Sequence, residues 1–367
     1  MGWLVLFAAL FLACSNGSND NFKGVATLYG SGVASYRTAL AWATATTLAG
    51  SVLALVFAAG LVRTFSAKGL VPDATAASHA FLGAVALAAA ITVGIASIAG
   101  LPISTTHALT GGLLGAGLAA VGSKVNAAVL GTSFFLPLAL SPIVAVALAS
   151  IGFVAARATV RTLGIAKDSC VCVGAEQAVG VSAAGEAVAT ASLTAAVSSN
   201  AVCVRRYGGT VLGISADRAL DWLHFASAGA VSFARGLNDT PKIVALLIAA
   251  KVLGAQVGIA AIAVTMAAGG ILGARKVAET MSLKITALDP APAFVANLNT
   301  AFLVLIASRF GLPVSTTHVS TGSLFGIGLI TREARWKTIA SILAAWLTTL
   351  PVAALLAALI FLLLARH

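Results

Sequence analysis

Charge is what this chain has least of. Only 9% of its 367 residues are Asp, Glu, Lys or Arg, against roughly a quarter in a soluble domain. That shortage excludes a water-soluble enzyme, which must cover its core with polar surface. Acids are scarcer still: 11 Asp and Glu face 22 Lys and Arg, a net +11. In a polar chain such an excess would point to nucleic acid. Here 59% of the residues are hydrophobic and the mean hydropathy is +1.02, so the basic excess fits the cytoplasmic loops of a membrane protein. The four cysteines, Cys14, Cys170, Cys172 and Cys203, are too few and too unevenly placed for a disulfide framework. Small, semi-buried thiols are expected, because Cys170, Cys172 and Cys203 lack the spaced partner motif of a metal site.

What the chain has instead is a succession of apolar stretches, mostly long enough for a bilayer core of about 30 Å, which takes roughly 20 helical residues. Ten candidate segments run approximately over 3–34, 39–62, 78–99, 101–121, 126–156, 218–249, 252–274, 290–309, 312–330 and 337–364. The stretch Met1 to Leu12 lacks the basic n-region of a signal peptide and reads as a retained helix. The expected fold class is all-α: a polytopic membrane protein with broken or re-entrant helices. A first transmembrane repeat is expected over 1–158, a cytoplasmic central loop over 159–217 and a second, inverted repeat over 218–367. With the N-terminus outside, thirteen basic residues, Arg37, Lys167 and Arg275 among them, lie at inside ends and loops, against six outside, such as Arg63 and Lys124. Both termini are therefore expected outside, in a bacterial-type inner membrane.

The repeat is carried by a duplication. Gly100 to Leu118 reads GLPISTTHALTGGLLGAGL and Gly311 to Leu329 reads GLPVSTTHVSTGSLFGIGL, identical at 13 of 19 positions without a gap. A second pair is Asn19-Asp20 with Lys23 and Asn238-Asp239 with Lys242. Five segments per half is odd, so the second copy enters from the opposite face of the membrane. Inverted repeats are the construction of secondary transporters, whose midplane sites are made from interrupted helices. Interruptions are expected at the polar run Asn16 to Asp20, at Arg235 to Pro241, and at Pro102 and Pro313, with half-helices starting near Ser104 and Ser315.

A Pro-x-Ser-Thr-Thr-His helix start offers unpaired N–H groups, hydroxyls and the positive end of a helix dipole to one point, a setting for a tetrahedral oxyanion. Ser104, Thr105 and Thr106 with Ser315, Thr316 and Thr317 are the candidate anion grip; capping of their own helices is the plain alternative. Asp20 and Asp239 are acids at membrane depth, where a charge costs at least ~2.5 kcal/mol, so a functional role is the default. They are candidates for ion coupling, with Lys23 and Lys242 as positive charges for the anion, or else as i, i+3 partners that only neutralise the acids. His107 and His318 are candidate proton carriers, with a bond to a neighbouring helix as the equal alternative. Asn297 and Asn299 are expected to pair helices.

These motifs resemble those of the inorganic phosphate transporter (PiT) family. The likeness covers nearly the whole chain except the central loop and lies in the paired Asn-Asp and GxPxSTTH motifs. It implies phosphate and sodium sites at Asn19, Asp20, Ser104, Thr105, Thr106, Asn238, Asp239, Ser315, Thr316 and Thr317, with sodium at Asp20 and Asp239. One departure matters: the family commonly has asparagine three residues after the Asp, where this chain has Lys23 and Lys242. An ammonium there could take the electrostatic role of sodium, so proton coupling or weak sodium dependence is expected. The expected function is secondary transport of inorganic phosphate by alternating access; a sulfate or related oxyanion permease, an anion channel and a membrane hydrolase are the alternatives. No catalysis and no cofactor beyond a sodium ion are expected. The partners are phosphate, a proton or sodium ion, the lipid bilayer and a second copy in a homo-oligomer, without nucleic acid.

Overall fold

The computed structural model describes residues 1–166, 168–181, 187–206, 212–286 and 289–366; Lys167 of the orientation count lies outside them. Two compact units emerge, one of Met1–Phe153 with Phe225–His367 and one of Val154–His224.

In the larger unit, α1 (Gly2–Asp20) is followed by a 3-10 turn and α2 (Ala26–Gly30). Helices α3 (Tyr36–Phe57) and α4 (Ala59–Phe65) form a bent pair, and α5 (Asp73–Ala76) leads into α6 (His79–Ala99) and α7 (Thr105–Val121). Next come α8 (Ala127–Val129), a π-helical stretch and α9 (Leu136–Thr162), in which Pro142 lies. The smaller unit holds β1 (Ser169–Val181), β2 (Ala187–Ser199), α10 (Asn200–Arg206) and β3 (Leu212–Ser215). The chain continues through α11 (Ala216–Ala249), α12 (Ala255–Gly273), α13 (Arg275–Leu283), α14 (Pro290–Arg309), α15 (Thr316–Thr331) and α16 (Trp336–Leu364).

Each of the ten expected segments contains helix, but among the described residues length and composition qualify only six helices as spans, or seven with the α3–α4 pair, which bends by 80°. The other three fall short for different reasons. Helices α7 and α15 have 17 and 16 residues, half-elements set by the prolines before them, and α11 carries Arg235, Asp239 and Lys242 inside its apolar stretch. Outward the larger unit presents apolar side chains such as Trp3, Phe7, Leu272, Leu347 and Leu355, a surface suited to lipid rather than water.

One expected interruption is present and one is absent. Helix α1 ends at Asp20, the last residue of its polar run, and passes through a turn and a 3-10 stretch into α2, whereas α11 runs unbroken through Arg235 to Pro241. The polar residues of these runs bond to one another inside the bundle. Their glycines serve close approach, not a turn: a Cβ on Gly17 would lie 2.0 Å from the Met266 carbonyl of α12, and one on Gly236 2.1 Å from the Thr47 carbonyl of α3. Backbones in contact at small residues are the usual device for packing helices in lipid.

The expected breaks before the half-helices are present, and their local geometry is the same twice. Gly100 and Gly311 take left-handed φ of +72° and +68°. Their N–H groups donate to Ser97 and Ser308, both at 3.1 Å, while Leu101 and Leu312 donate to Ala96 and Ala307, both at 2.9 Å. This is the glycine-terminated helix end, and proline at the second residue beyond it prevents continuation. Ser104 and Ser315 then cap α7 and α15, accepting the N–H of His107 at 3.1 Å and of His318 at 3.2 Å. Residues 101–104 and 312–315 lie between as non-helical linkers, which frees the carbonyls of Ile103 and Val314 from any helix ladder.

The chain is mostly helical, as expected, and the smaller unit adds strands to it. It contains an antiparallel sheet in the order β2-β1-β3. Strand alternation puts Cys170 and Cys172 on one face of β1, both buried, while Val171 between them is exposed. Helix α10 brings Cys203 to them, all three sulfurs lie within 4.8 Å of one another, and Cys172 is joined to Cys203 as a disulfide. The expectation of thiols throughout therefore fails for this pair, because strand pairing and α10 bring together cysteines 31 residues apart.

Candidate functional site

The middle of the larger unit is its most polar region. Asn16, Asn19, Asp20, Lys23, Arg235, Asn238, Asp239, Thr240 and Lys242 are all buried there, none more than 4% exposed. Helix α1 supplies the first three, the turn after it Lys23, and α11 the rest. The i, i+3 spacing sets Lys23 against Asp20 and Lys242 against Asp239, the second pair at 3.3 Å.

Both lysines reach beyond their own helices. Lys23 Nζ donates to Asn19 Oδ1 at 2.7 Å, to the Ile103 carbonyl at 2.7 Å and to the Thr317 hydroxyl at 2.6 Å, besides Asp20 Oδ1. Lys242 Nζ donates to the Val314 carbonyl at 2.9 Å, to the Thr106 hydroxyl at 2.7 Å and to Asp239 Oδ1 at 3.3 Å. The Phe65 ring stands 6.0 Å from it. The threonines donate crosswise, Thr317 to the Ile103 carbonyl at 2.9 Å and Thr106 to the Val314 carbonyl at 3.3 Å. Each linker and the opposite half-helix thus bond to one another, and a lysine ties each crossing down.

The asparagines fix the linkers. Asn19 Nδ2 donates to Ser97 at 3.1 Å and to the Leu101 carbonyl at 3.0 Å, and its Oδ1 accepts the Ile103 N–H at 3.1 Å. Asn238 accepts from Ser308 at 3.1 Å and donates to the Val314 carbonyl at 3.2 Å. Asp20 further accepts from Asn16 Nδ2 at 2.9 Å and Thr105 at 3.1 Å. Of the hydroxyls expected to face an anion, Ser104 and Ser315 are helix caps, Thr105 bonds to Asp20, Thr106 and Thr317 cross-link the halves, and Thr316 is buried beside them. Twelve expected residues, Asn19 to Thr317, therefore gather in one region.

His107 and His318 do not join this network. Their rings meet each other edge-on at 4.4 Å, and His318 lies 3.9 Å from the Trp346 ring and 3.4 Å from the Leu138 carbonyl. They pack between α7, α15 and α16, with no hydrogen bond to either aspartate. Asn297 and Asn299 do pair helices: Asn297 bonds to Thr27 at 2.9 Å, and Asn299 to Ser323 at 2.8 Å and the Ala145 carbonyl at 3.0 Å.

Arg235 is the site residue that the motifs do not reveal. Its guanidinium is 1% exposed. It reaches Asn21 Oδ1 at 3.3 Å and Asn16 Oδ1 at 3.4 Å, and its Nε stands 3.9 Å from Asp239 with no hydrogen bond. Five N–H donors are thus met by two long bonds to neutral amides and one distant carboxylate. In the sequence Arg235 stands as part of a polar run; an arginine deep in an apolar stretch is the signal that singles it out. With it the buried cluster holds three basic side chains, Lys23, Arg235 and Lys242, and two acidic ones, Asp20 and Asp239. Fully ionised, the five sum to one positive charge, which a low-dielectric interior holds at high cost unless an anion balances it.

The chain is similar in fold and in sequence to known proteins. A solved structure titled "The sodium-dependent phosphate transporter" matches with TM-score 0.76 at 19% identity, over 100% of this chain and 99% of that one; it is similar in fold. A probable low-affinity inorganic phosphate transporter of Rhizobium meliloti is 29% identical over 97% of this chain and 94% of its own length. One of Mycobacterium tuberculosis is 27% identical over 97% and 75%. The human sodium-dependent phosphate transporter 2 is 37% identical over 36% of this chain and 22% of its own. The profile of the phosphate transporter family matches residues 16–357, a family of transporters rather than enzymes. That match spans both duplicated motifs and the buried cluster between them, and the protein therefore belongs to the phosphate transporter family.

Proposed function

We propose that this chain carries inorganic phosphate across a bacterial-type inner membrane by alternating access, coupled to a cation gradient. The observation that carries the reading is Arg235: a fully buried guanidinium with its donors under-used, inside a cluster with one excess positive charge. Arginine suits a phosphate oxyanion because its fork of N–H groups can bond two oxygens at once. The names of the relatives supply the substrate, and the carboxylates supply discrimination. Asp20 and Asp239 can accept a hydrogen bond from a protonated phosphate oxygen, whereas sulfate carries no proton near neutral pH and meets only repulsion.

The crossed bonds suggest how access alternates. The half-helices α7 and α15 and their linkers belong to opposite repeats, inverted with respect to each other, and Thr106 and Thr317 latch one to the other across the centre. Opening toward one side releases one latch and keeps the other, so a matched pair gives two gates from one design. In this reading both termini face outward and the central unit is cytoplasmic.

The test is uptake of radiolabelled phosphate into proteoliposomes under imposed gradients, with unlabelled sulfate as competitor. Saturable accumulation against a gradient is expected. Sulfate should compete at least roughly tenfold more weakly, the cost of leaving one buried polar group unpaired. Equal competition by sulfate would make the chain a general oxyanion permease, and flux that never saturates would make it a channel.

A further inference from the structure

The two lysine ammoniums have surroundings that differ from those of an ordinary ion pair. Around Lys23 Nζ stand four oxygens of four chemical kinds: a carboxylate, an amide, a linker carbonyl and a threonine hydroxyl. An ammonium has only three N–H donors, so the shell is fuller than hydrogen bonding alone requires. Lys242 Nζ repeats three of the four kinds, with Asp239, the Val314 carbonyl and Thr106. Shells of carbonyl, hydroxyl and carboxylate oxygens, with the carbonyls drawn from non-helical linkers, are how transporters and channels replace the hydration shell of an alkali cation. Here the centre of each shell is already filled by a covalently tethered cation.

We infer that Lys23 and Lys242 are the resident cations of this transporter, each occupying an oxygen cage of the alkali-cation type, so that the chain moves its anion without sodium. A sodium ion does not fit beside an ammonium in the same shell: it would face the lysine's charge at contact distance and find its ligands taken. The exchangeable cation left for coupling is the proton.

The transport arm of the test rests on the phosphate-carrier reading above; the binding arm does not. In proteoliposomes, sodium is replaced by choline at constant ionic strength, with a proton gradient imposed. A coupled cation changes its partner's affinity by roughly 5- to 150-fold, so wild-type uptake is expected to change by less than about twofold, and a loss of about tenfold or more would overturn the inference. In detergent, thermal unfolding of the purified wild-type chain and of the Lys23→Asn/Lys242→Asn variant is followed against sodium chloride and choline chloride. The wild type is expected to respond alike to both salts, and the variant to be stabilised by sodium alone. A wild type stabilised specifically by sodium, or a variant indifferent to it, would show two plain ion pairs and no cage. Should the double variant not fold, the single Lys23→Asn variant is read in the same way, and the wild-type arms stand by themselves. Absence of phosphate uptake in every ion condition would remove the carrier reading while leaving the binding arm to decide the cages.

Discussion

Arg235→Met is expected to remove phosphate binding while leaving the protein folded. In the wild type Asp20 is paired with Lys23 and Asp239 with Lys242, so removal of the guanidinium leaves both carboxylates neutralised and takes away the excess positive charge. Methionine is unbranched and adapts to irregular space. Little is lost from the fold, because the guanidinium has only two long bonds to neutral amides, and Asp239, 3.9 Å away, keeps Lys242 as its partner. The substrate loses more than the fold does, since truncating one partner of a buried charged contact costs about 2–5 kcal/mol, or roughly 30-fold to several thousand-fold in affinity. Phosphate titration by calorimetry, with the unfolding temperature in the absence of phosphate as the control, separates the two effects. Unchanged affinity, or a collapsed fold, would make Arg235 a structural residue.

The second large effect is expected at Asp20, and it runs the other way. Asp20→Ala leaves the Lys23 ammonium buried without its carboxylate and takes an acceptor from Asn16 and Thr105. Breaking a buried pair in this manner costs about 3–5 kcal/mol, a large part of the 5–15 kcal/mol that holds a typical domain folded. Yield and unfolding temperature in detergent should fall sharply. Adding Lys23→Met to Asp20→Ala should recover most of the loss, because the orphaned charge is gone, yet phosphate uptake should stay abolished. Residues in one network are expected to couple by about 0.5–3 kcal/mol in such a cycle. If the second substitution only deepened the loss, Lys23 would be supported by its other oxygens and Asp20 would not be its essential counterion.

Much of this centre was legible in the sequence because it is built from short-range rules used twice. The Gly-Leu-Pro segments dictate a helix end and a fresh start within five residues, the serine after them is a natural cap, and i, i+3 spacing joins each aspartate to its lysine. What required the structure depends on long-range packing. The crossing of Thr106 with Val314 and Thr317 with Ile103 joins residues more than two hundred positions apart. The continuity of α11 through its polar run, and the close approach of Gly17 to α12 and of Gly236 to α3, are features that no local propensity records. Arg235 escaped the motif comparison because its counterpart position carries no matching charge, and its meaning lies in what surrounds it. The sheet of the central unit was masked by runs of alanine and serine, whose side chains mark neither period strongly.

The duplicated histidines were open between carrying protons and contacting a neighbouring helix, and in the structure His107 and His318 pack on each other and on Trp346. The motif repeats them as part of a helix start. The residues that meet the buried charges are the threonines just before them.

The most direct measurement is counterflow. Proteoliposomes loaded with unlabelled phosphate are diluted into a trace of labelled phosphate without sodium, and internal label is followed with time for the wild type and Arg235→Met. A carrier built around this centre is expected to show label rising transiently above equilibrium in the wild type, with no overshoot in the variant. Label that only approaches equilibrium in the wild type, or an overshoot that the variant retains, would contradict a phosphate carrier whose anion site rests on the buried positive charge.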